Sequence, residues 1–202
     1  LKQSYEGAVR ALVKAIEVND TYTGGHSERL ARLSVKIAGY LGYDASRLND
    51  LRFGCILHDV GKINNASFLE LRKNGPLTDE EYARIKEHPV HGEKILKANE
   101  FFEENHRSIV RNHHERWDGK GYPDGLAGER IPLEAQIVAV ADAYDAMTTN
   151  RSYRSKKSAE QAAAEIMRCT GTQFSPRAAQ AFMQFYQEQI ITGKFENGGQ
   201  AS

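Results

Sequence analysis

Apolar residues recur every three or four positions along almost the whole of this chain, and no stretch alternates with period two for long enough to make a strand. That spacing belongs to helices with one buried face, so an all-α domain is the economical architecture. Tyr5, Val9, Leu12, Val13 and Ile16 form a first stripe. The turn Asp20–His26 breaks it, and Leu30, Leu33, Ile37 and Leu41 form a second that ends at Gly42. A third helix is expected from Ser46 to Asp59. Thr78 with Glu81 reads as a capping box opening a helix that Pro89 closes just after His88. A short helix carries Ile95 and Leu96, and another runs from about Glu103 to Arg116. The Gly-rich loop Trp117–Pro132 leads into a mostly apolar, buried helix from Leu133 to Thr149. Ser158 with Gln161 makes a second capping box, Gly171 stops that helix, and Ser175-Pro176 starts the last one. With 202 residues and no internal repeat, one helical domain over 1–202 is expected, its core at about 5–192. The chain starts at Leu1, which suggests a module of a longer protein.

Polar side chains intrude on these apolar stripes. "CILHDVGK" runs an apolar helix into His58, Asp59 and Lys62, and "IVAVADAYDAM" inserts Asp142 and Asp145 into a helix of Ile, Val, Ala, Tyr and Met. A buried carboxylate without a partner costs several kcal/mol, so these acids need cations. His113 and His114 stand side by side at a helix end; adjacent helical positions point about 100° apart, so this pair does not grip one ion as i, i+4 histidines do. Together with His26, which follows Gly24-Gly25, and His88, these residues are seven candidate N and O ligands: His26, His58, Asp59, His88, His113, His114 and Asp142. Seven exceed what one four-coordinate zinc takes. Two divalent transition metals sharing Asp59 account for them, with iron, manganese, nickel or zinc all suited to imidazole and carboxylate. The absence of thiolate at the site argues against an iron–sulfur cluster.

The motifs "TGGHSERLA", "HDVGK", "HPVHGEKIL", "NHHERWDGKGYP" and "VADAYDAMTTNRSYR", in this order and spacing, resemble an HD-GYP domain, the bacterial branch of the HD phosphohydrolases, from about Tyr5 to Phe182. The resemblance implies an all-α phosphodiesterase with a two- or three-metal centre, often of iron or manganese. Its usual substrate is cyclic di-GMP, cut to pGpG and sometimes to GMP; some members prefer cyclic GMP-AMP. By position, His26, His58, Asp59 and Asp142 would hold the first metal, with Asp59 bridging. His88, His113 and His114 would hold the second. Lys62 would face the scissile phosphate and Asp145 would orient or deprotonate the attacking water. Gly121, Tyr122 and Pro123 form the GYP triad, with Tyr122 packing near the ligand, and Arg151 and Arg154 would meet its phosphate or guanine. Lys62 and Arg151 would stabilise the transition state, Tyr122 and Arg154 would dock the base and distal phosphate.

Two departures stand out. The segment after HDVGK usually reads "IGVPD" and here is "INNAS", Ile63 to Ser67; no metal ligand is lost with it. Some members add an acidic ligand just before the first histidine, where Thr21–Gly25 offers no carboxylate, so two metals are expected. A receptor that binds cyclic di-GMP without turnover is the rival reading; the full ligand set and Lys62 favour the enzyme, while the altered loop keeps the receptor alive. A hydrolase of nucleotide monophosphates or (p)ppGpp is disfavoured by the GYP loop with Arg151 and Arg154. The implied partners are an upstream sensory or receiver domain in cis and a diguanylate cyclase domain docking on the GYP loop. The stripe Phe182, Phe185, Tyr186 and Ile190 reads as core or homodimer packing.

Lys plus Arg and Asp plus Glu balance at 27 each, which removes any global electrostatic case for a nucleic-acid polymer. Cys55 and Cys169 read as reduced thiols of a cytoplasmic module, and no apolar run approaches the roughly 20 residues that span a bilayer. The full protein could still be membrane-anchored. His91 is expected at the surface or behind the ligands, His106 in solvent, and Trp117 packed beneath the loop.

Overall fold

The capping signals fix where most helices begin. In the computed structural model, which describes residues 25–64, 78–149 and 156–192 and positions 7, 9, 11, 13 and 14, α1 is His26–Gly39, α2 Ala45–Leu57, α3 Asp79–Ile85 and α4 His88–Lys97. Then follow α5 Glu104–Asn112, α6 Leu133–Thr148, α7 Ala159–Arg168 and α8 Pro176–Ile191. Thr78 and Ser158 cap α3 and α7 through complete capping boxes with Glu81 and Gln161, and Ser175 accepts the Ala178 N–H at the start of α8. Among the described residues only isolated bridges occur in place of strands, Asp118 with Ala127 and Thr170 with Phe174. Val9 and Val13 of the first stripe are helical, and Val13 is buried; Tyr5, Leu12 and Ile16 lie outside the described residues.

Helix α6 is the axis. It packs on α1, α5, α7 and α8, while α2 covers α1 and α5. Its Ala135, Ile137, Val138, Val140 and Ala141 are buried on this contact, joined by Leu30, Leu51, Leu57, Ile109, Ile166 and Phe182. Fully burying such a side chain is worth roughly 1.5–3 kcal/mol, so this core holds the helix ends in place. No helix among the described residues is long and apolar enough to cross a membrane.

Three helix boundaries differ from the sequence expectation, each for a local reason. α2 stops at Leu57 instead of Asp59, because the His58 ring takes the Cys55 carbonyl and the chain tightens into a 3₁₀ turn, Val60–Asn64. α5 stops at Asn112 instead of Arg116, because the His113 ring takes the Val110 carbonyl. His88 opens α4 rather than ending α3, since Pro89, which cannot extend a helix, is tolerated in a first turn.

A close crossing sets the 3₁₀ turn against α4. A Cβ on Gly61 would lie 1.9 Å from the His88 carbonyl oxygen and 2.4 Å from the Gly92 nitrogen. Only glycine admits that approach, and it brings Asp59 and Lys62 beside His88.

Candidate metal centre

Helix ends aim the imidazoles. The last carbonyls of a helix lack intrahelical partners, and a carbonyl can only accept a hydrogen bond. His58 Nδ1 donates to Cys55 O at 2.7 Å, His88 Nδ1 to Ile85 O at 2.8 Å and His113 Nδ1 to Val110 O at 2.9 Å. Each bond reaches back three residues and fixes the same tautomer, leaving Nε2 as a lone pair turned inward. His26, the first residue of α1, is held differently: its Nδ1 donates to Asp145 Oδ2 at 2.7 Å and its Nε2 faces Asp142 Oδ1 at 3.4 Å.

These lone pairs and carboxylates fall into two clusters. Asp59, His88, His113 and His114 offer atoms all within 4.8 Å of one another, and so do His26, His58 and Asp142. Asp59 lies between them, with Oδ1 3.2 Å from His88 Nε2 and Oδ2 3.2 Å from His58 Nε2. The His58 ring stands 5.3 Å from that of His26 and 5.2 Å from that of His113, joining the clusters.

The electrostatics of this arrangement fit a cation. His88 Nε2 and His113 Nε2 approach to 3.3 Å, and with both rings donating from Nδ1 two lone pairs face each other. Burial, reinforced by the neighbouring histidines, pushes the His113 pKa well below the ordinary value, so His113 takes no proton to relieve the contact, and burial likewise pushes His114 down to about 3. Burial would raise the Asp59 pKa, but His58 and Lys62 outweigh it and hold the carboxyl well below the usual range. Burial likewise opposes a charge on His26, yet the Asp145 hydrogen bond and the Asp142 charge raise its pKa. Buried acceptors in this density are stable around positive charge, and imidazole with carboxylate suits divalent transition metals.

The remaining expected residues take distinct places. Lys62 Nζ donates to Asp59 Oδ2 at 2.5 Å. Asp145 stands behind His26 rather than in front of it: Oδ2 accepts from the ring, and Arg29 donates to Oδ1 at 2.7 Å and Oδ2 at 3.1 Å. Three residues apart on α6, Asp142 and Asp145 thus face opposite edges of one imidazole. Gly121 has no room for a side chain, since a Cβ would lie 2.4 Å from Arg116 N. Tyr122, joined to Pro123 by a cis peptide, stacks on His114 with ring centroids 4.8 Å apart. Arg151 and Arg154 lie outside the described residues, as do Asn65 to Ser67 of the altered loop.

Sequence reasoning missed the groups that tie this loop down. Glu115 is buried and accepts the Asp124 N–H at 2.7 Å and the Leu126 N–H at 3.0 Å. Asp124 accepts a forked pair from Arg111 at 2.8 and 2.7 Å, and Arg111 donates to Glu93 on α4 at 2.6 Å. The available signal was the glutamate directly after the paired histidines. His106 is buried, not solvent-facing, because its Nδ1 accepts the Glu103 N–H at the start of α5 and its ring packs edge-on against Phe53. His91 is partly exposed, near Glu87, and Trp117 is partly buried with its N–H on Gln173 O.

Known proteins share both sequence and fold with this chain. The sequence model of a family described as HD domain matches residues 10–177. The chain is 39% identical over 173 residues to a cyclic di-GMP phosphodiesterase of Thermotoga maritima, covering 85% of this chain and 47% of that protein. It is 32% identical over 191 residues to a 3'3'-cGAMP-specific phosphodiesterase of Vibrio cholerae, covering 94% of this chain and 36% of that protein. The solved structure of a cyclic GMP-AMP specific phosphodiesterase from V. cholerae superposes with a TM-score of 0.73 at 20% identity, over 95% of this chain and 50% of that one, a likeness of fold. The chain spans about half the length of these relatives or less.

Proposed function

The chain belongs to the HD domain family, in its HD-GYP branch, and from that membership and the geometry of its centre we propose that it is a metal-dependent phosphodiesterase that hydrolyses cyclic di-GMP to pGpG, with GMP as the further product. One observation carries the reading: two contiguous clusters of imidazole nitrogens and carboxylates share Asp59 between them. His26, His58, Asp59 and Asp142 would hold one divalent ion, and Asp59, His88, His113 and His114 the second, iron or manganese first and nickel or zinc next. Two such ions supply the positive charge that lets water attack an anionic phosphodiester near neutral pH.

The chain's own groups then divide the work. Lys62 holds Asp59 by its ammonium and would present positive charge to the scissile phosphate. Asp145, clamped by Arg29, accepts from His26 Nδ1 and turns its Nε2 toward Asp142; with both its oxygens engaged we assign it positioning, in place of the proton-taking role. Gly121 lets the loop close on His114, and Tyr122, joined to Pro123 by a cis peptide, covers the His114 ring; Arg151 and Arg154 would grip the ligand's phosphate or guanine. The same reading extends to a sensory or receiver domain in cis, a diguanylate cyclase domain docked on the GYP loop, and a homodimer.

Cyclic GMP-AMP is the second candidate substrate, favoured by the likeness to the 3'3'-cGAMP-specific enzyme. Metal-replete protein incubated with each cyclic dinucleotide, with products separated by chromatography, tests both: pGpG from cyclic di-GMP supports the reading, and intact ligand refutes turnover in favour of a receptor.

A further inference from the structure

Helix α3 brings a second cation beside the GYP loop. Lys86, its C-cap, is partly buried. Its ammonium lies 4.4 Å from the centroid of the Tyr82 ring and 5.5 Å from that of Tyr122. Among the described residues no carboxylate forms an ion pair with it. Tyr122 in turn stacks on His114, a member of the Asp59 cluster, so one aromatic ring separates the Lys86 ammonium from the metal centre. Tyr82 is 48% exposed and leaves much of its ring open to solvent.

A cyclic dinucleotide carries two phosphodiesters, and the metal centre acts on one at a time. The other remains anionic and must sit away from the ions, near a cation that is not already neutralised. We propose that Lys86 and Tyr82 form the subsite for the non-scissile half of the substrate, Lys86 pairing with its phosphate and Tyr82 stacking on its base. The inference rests on the cyclic dinucleotide reading above, and adds a cation beside the role proposed there for Arg154. Cation–π contact with two phenols places the ammonium at low entropic cost without cancelling its charge, and a charge-assisted bond to phosphate follows when the ligand arrives. Exposed aromatic faces accept any base, so Tyr82 contributes affinity with little choice between guanine and adenine.

The test compares cyclic di-GMP with bis(p-nitrophenyl) phosphate, a small diester that needs only the metal centre. Lys86→Ala should raise KM for cyclic di-GMP roughly tenfold or more, the loss of one charged hydrogen bond, with kcat held. Lys86→Arg should recover most of that loss, Tyr82→Ala should raise KM and Tyr82→Leu should recover little. All four variants should cleave the small diester like the wild type. An unchanged KM in Lys86→Ala, or an equal loss on both substrates, overturns the subsite while leaving the phosphodiesterase reading intact. A wild type that cleaves the small diester, but neither cuts a cyclic dinucleotide nor is inhibited by one, overturns both.

Discussion

Gly61→Ala probes the link between fold and metal centre, because one methyl group meets backbone on two sides. Its Cβ would lie 1.9 Å from the His88 carbonyl oxygen, 2.4 Å from Gly92 N and 2.9 Å from Gly92 Cα. Comfortable contact needs about 3.5 Å, so the 3₁₀ turn and α4 must part by more than 1 Å. Overpacking a core costs roughly 1–3 kcal/mol where side chains can rotate away; here only backbone is available, and we expect about 3 kcal/mol. For a domain of this size that is a melting temperature lower by roughly 6–12 °C. The same displacement opens the 3.2 Å approach of Asp59 Oδ1 to His88 Nε2, whereas ligand distances tolerate only about 0.2 Å, so metal content should fall as well. Thermal melts of the chelated protein read the first effect, and elemental analysis of the reloaded protein reads the second. Gly39→Ala is the control: it ends α1 with no heavy atom within 4 Å of its Cβ and should be neutral or slightly stabilising. A Gly61→Ala protein that melts with the wild type and carries its full metal complement would show that the crossing of Gly61 over α4 does not hold the site together.

Three other perturbations separate the parts of the site. Asp145→Ala releases the His26 ring and should cost about 10–100-fold in metal affinity or turnover while the protein stays folded; chelator competition measures it, and unaltered affinity and rate would contradict the positioning role. Glu115→Gln puts an amide NH2 against the Asp124 or Leu126 N–H and should cost about 1.5–3 kcal/mol in urea unfolding. Acid stability should depend on Arg111. Its hydrogen bonds lower the Asp124 pKa, and with Lys97 it outweighs the effect of burial to lower that of Glu93. Both acids therefore add stability that is full above their ordinary values of 3.8 and 4.5 and is lost as pH falls through the lowered ones. Arg111→Met should be less stable at neutral pH and lose less between pH 5 and pH 2 (roughly the carboxylate range); parallel stability–pH curves for the two proteins would count against the assignment.

Local signals in the sequence located what local chemistry decides. Thr78 with Glu81, Ser158 with Gln161 and Ser175-Pro176 mark helix starts that recur in the structure, because a cap depends on residues three apart. Helix ends at the histidines were less legible: His58 and His113 stop α2 and α5 by competing for carbonyls with the next turn, an outcome set by ring orientation. Pro89 marks a boundary without saying on which side of it His88 falls. His106 lies in a polar run and is buried all the same, since Phe53 is brought to it by the packing of α2 on α5. The crossing of Gly61 over Gly92 and the Glu115 hold on the loop join segments remote in sequence or folded back on themselves, and no periodicity announces them. Asp142 and Asp145 looked alike as acids on an apolar helix; only the position of the His26 ring between them separates a candidate ligand from its support.

If Asp59 joins two cation sites whose ions act together on a cyclic dinucleotide, ion content and turnover depend on the same carboxylate. Metal stoichiometry with product chromatography on the same samples measures this, wild type beside Asp59→Ala, loaded without oxygen with iron or manganese. The wild type should carry about two ions per chain and yield pGpG, and Asp59→Ala should lose both. A variant that retains both ions and full turnover, or a fully loaded wild type that leaves every cyclic dinucleotide uncut, would contradict it.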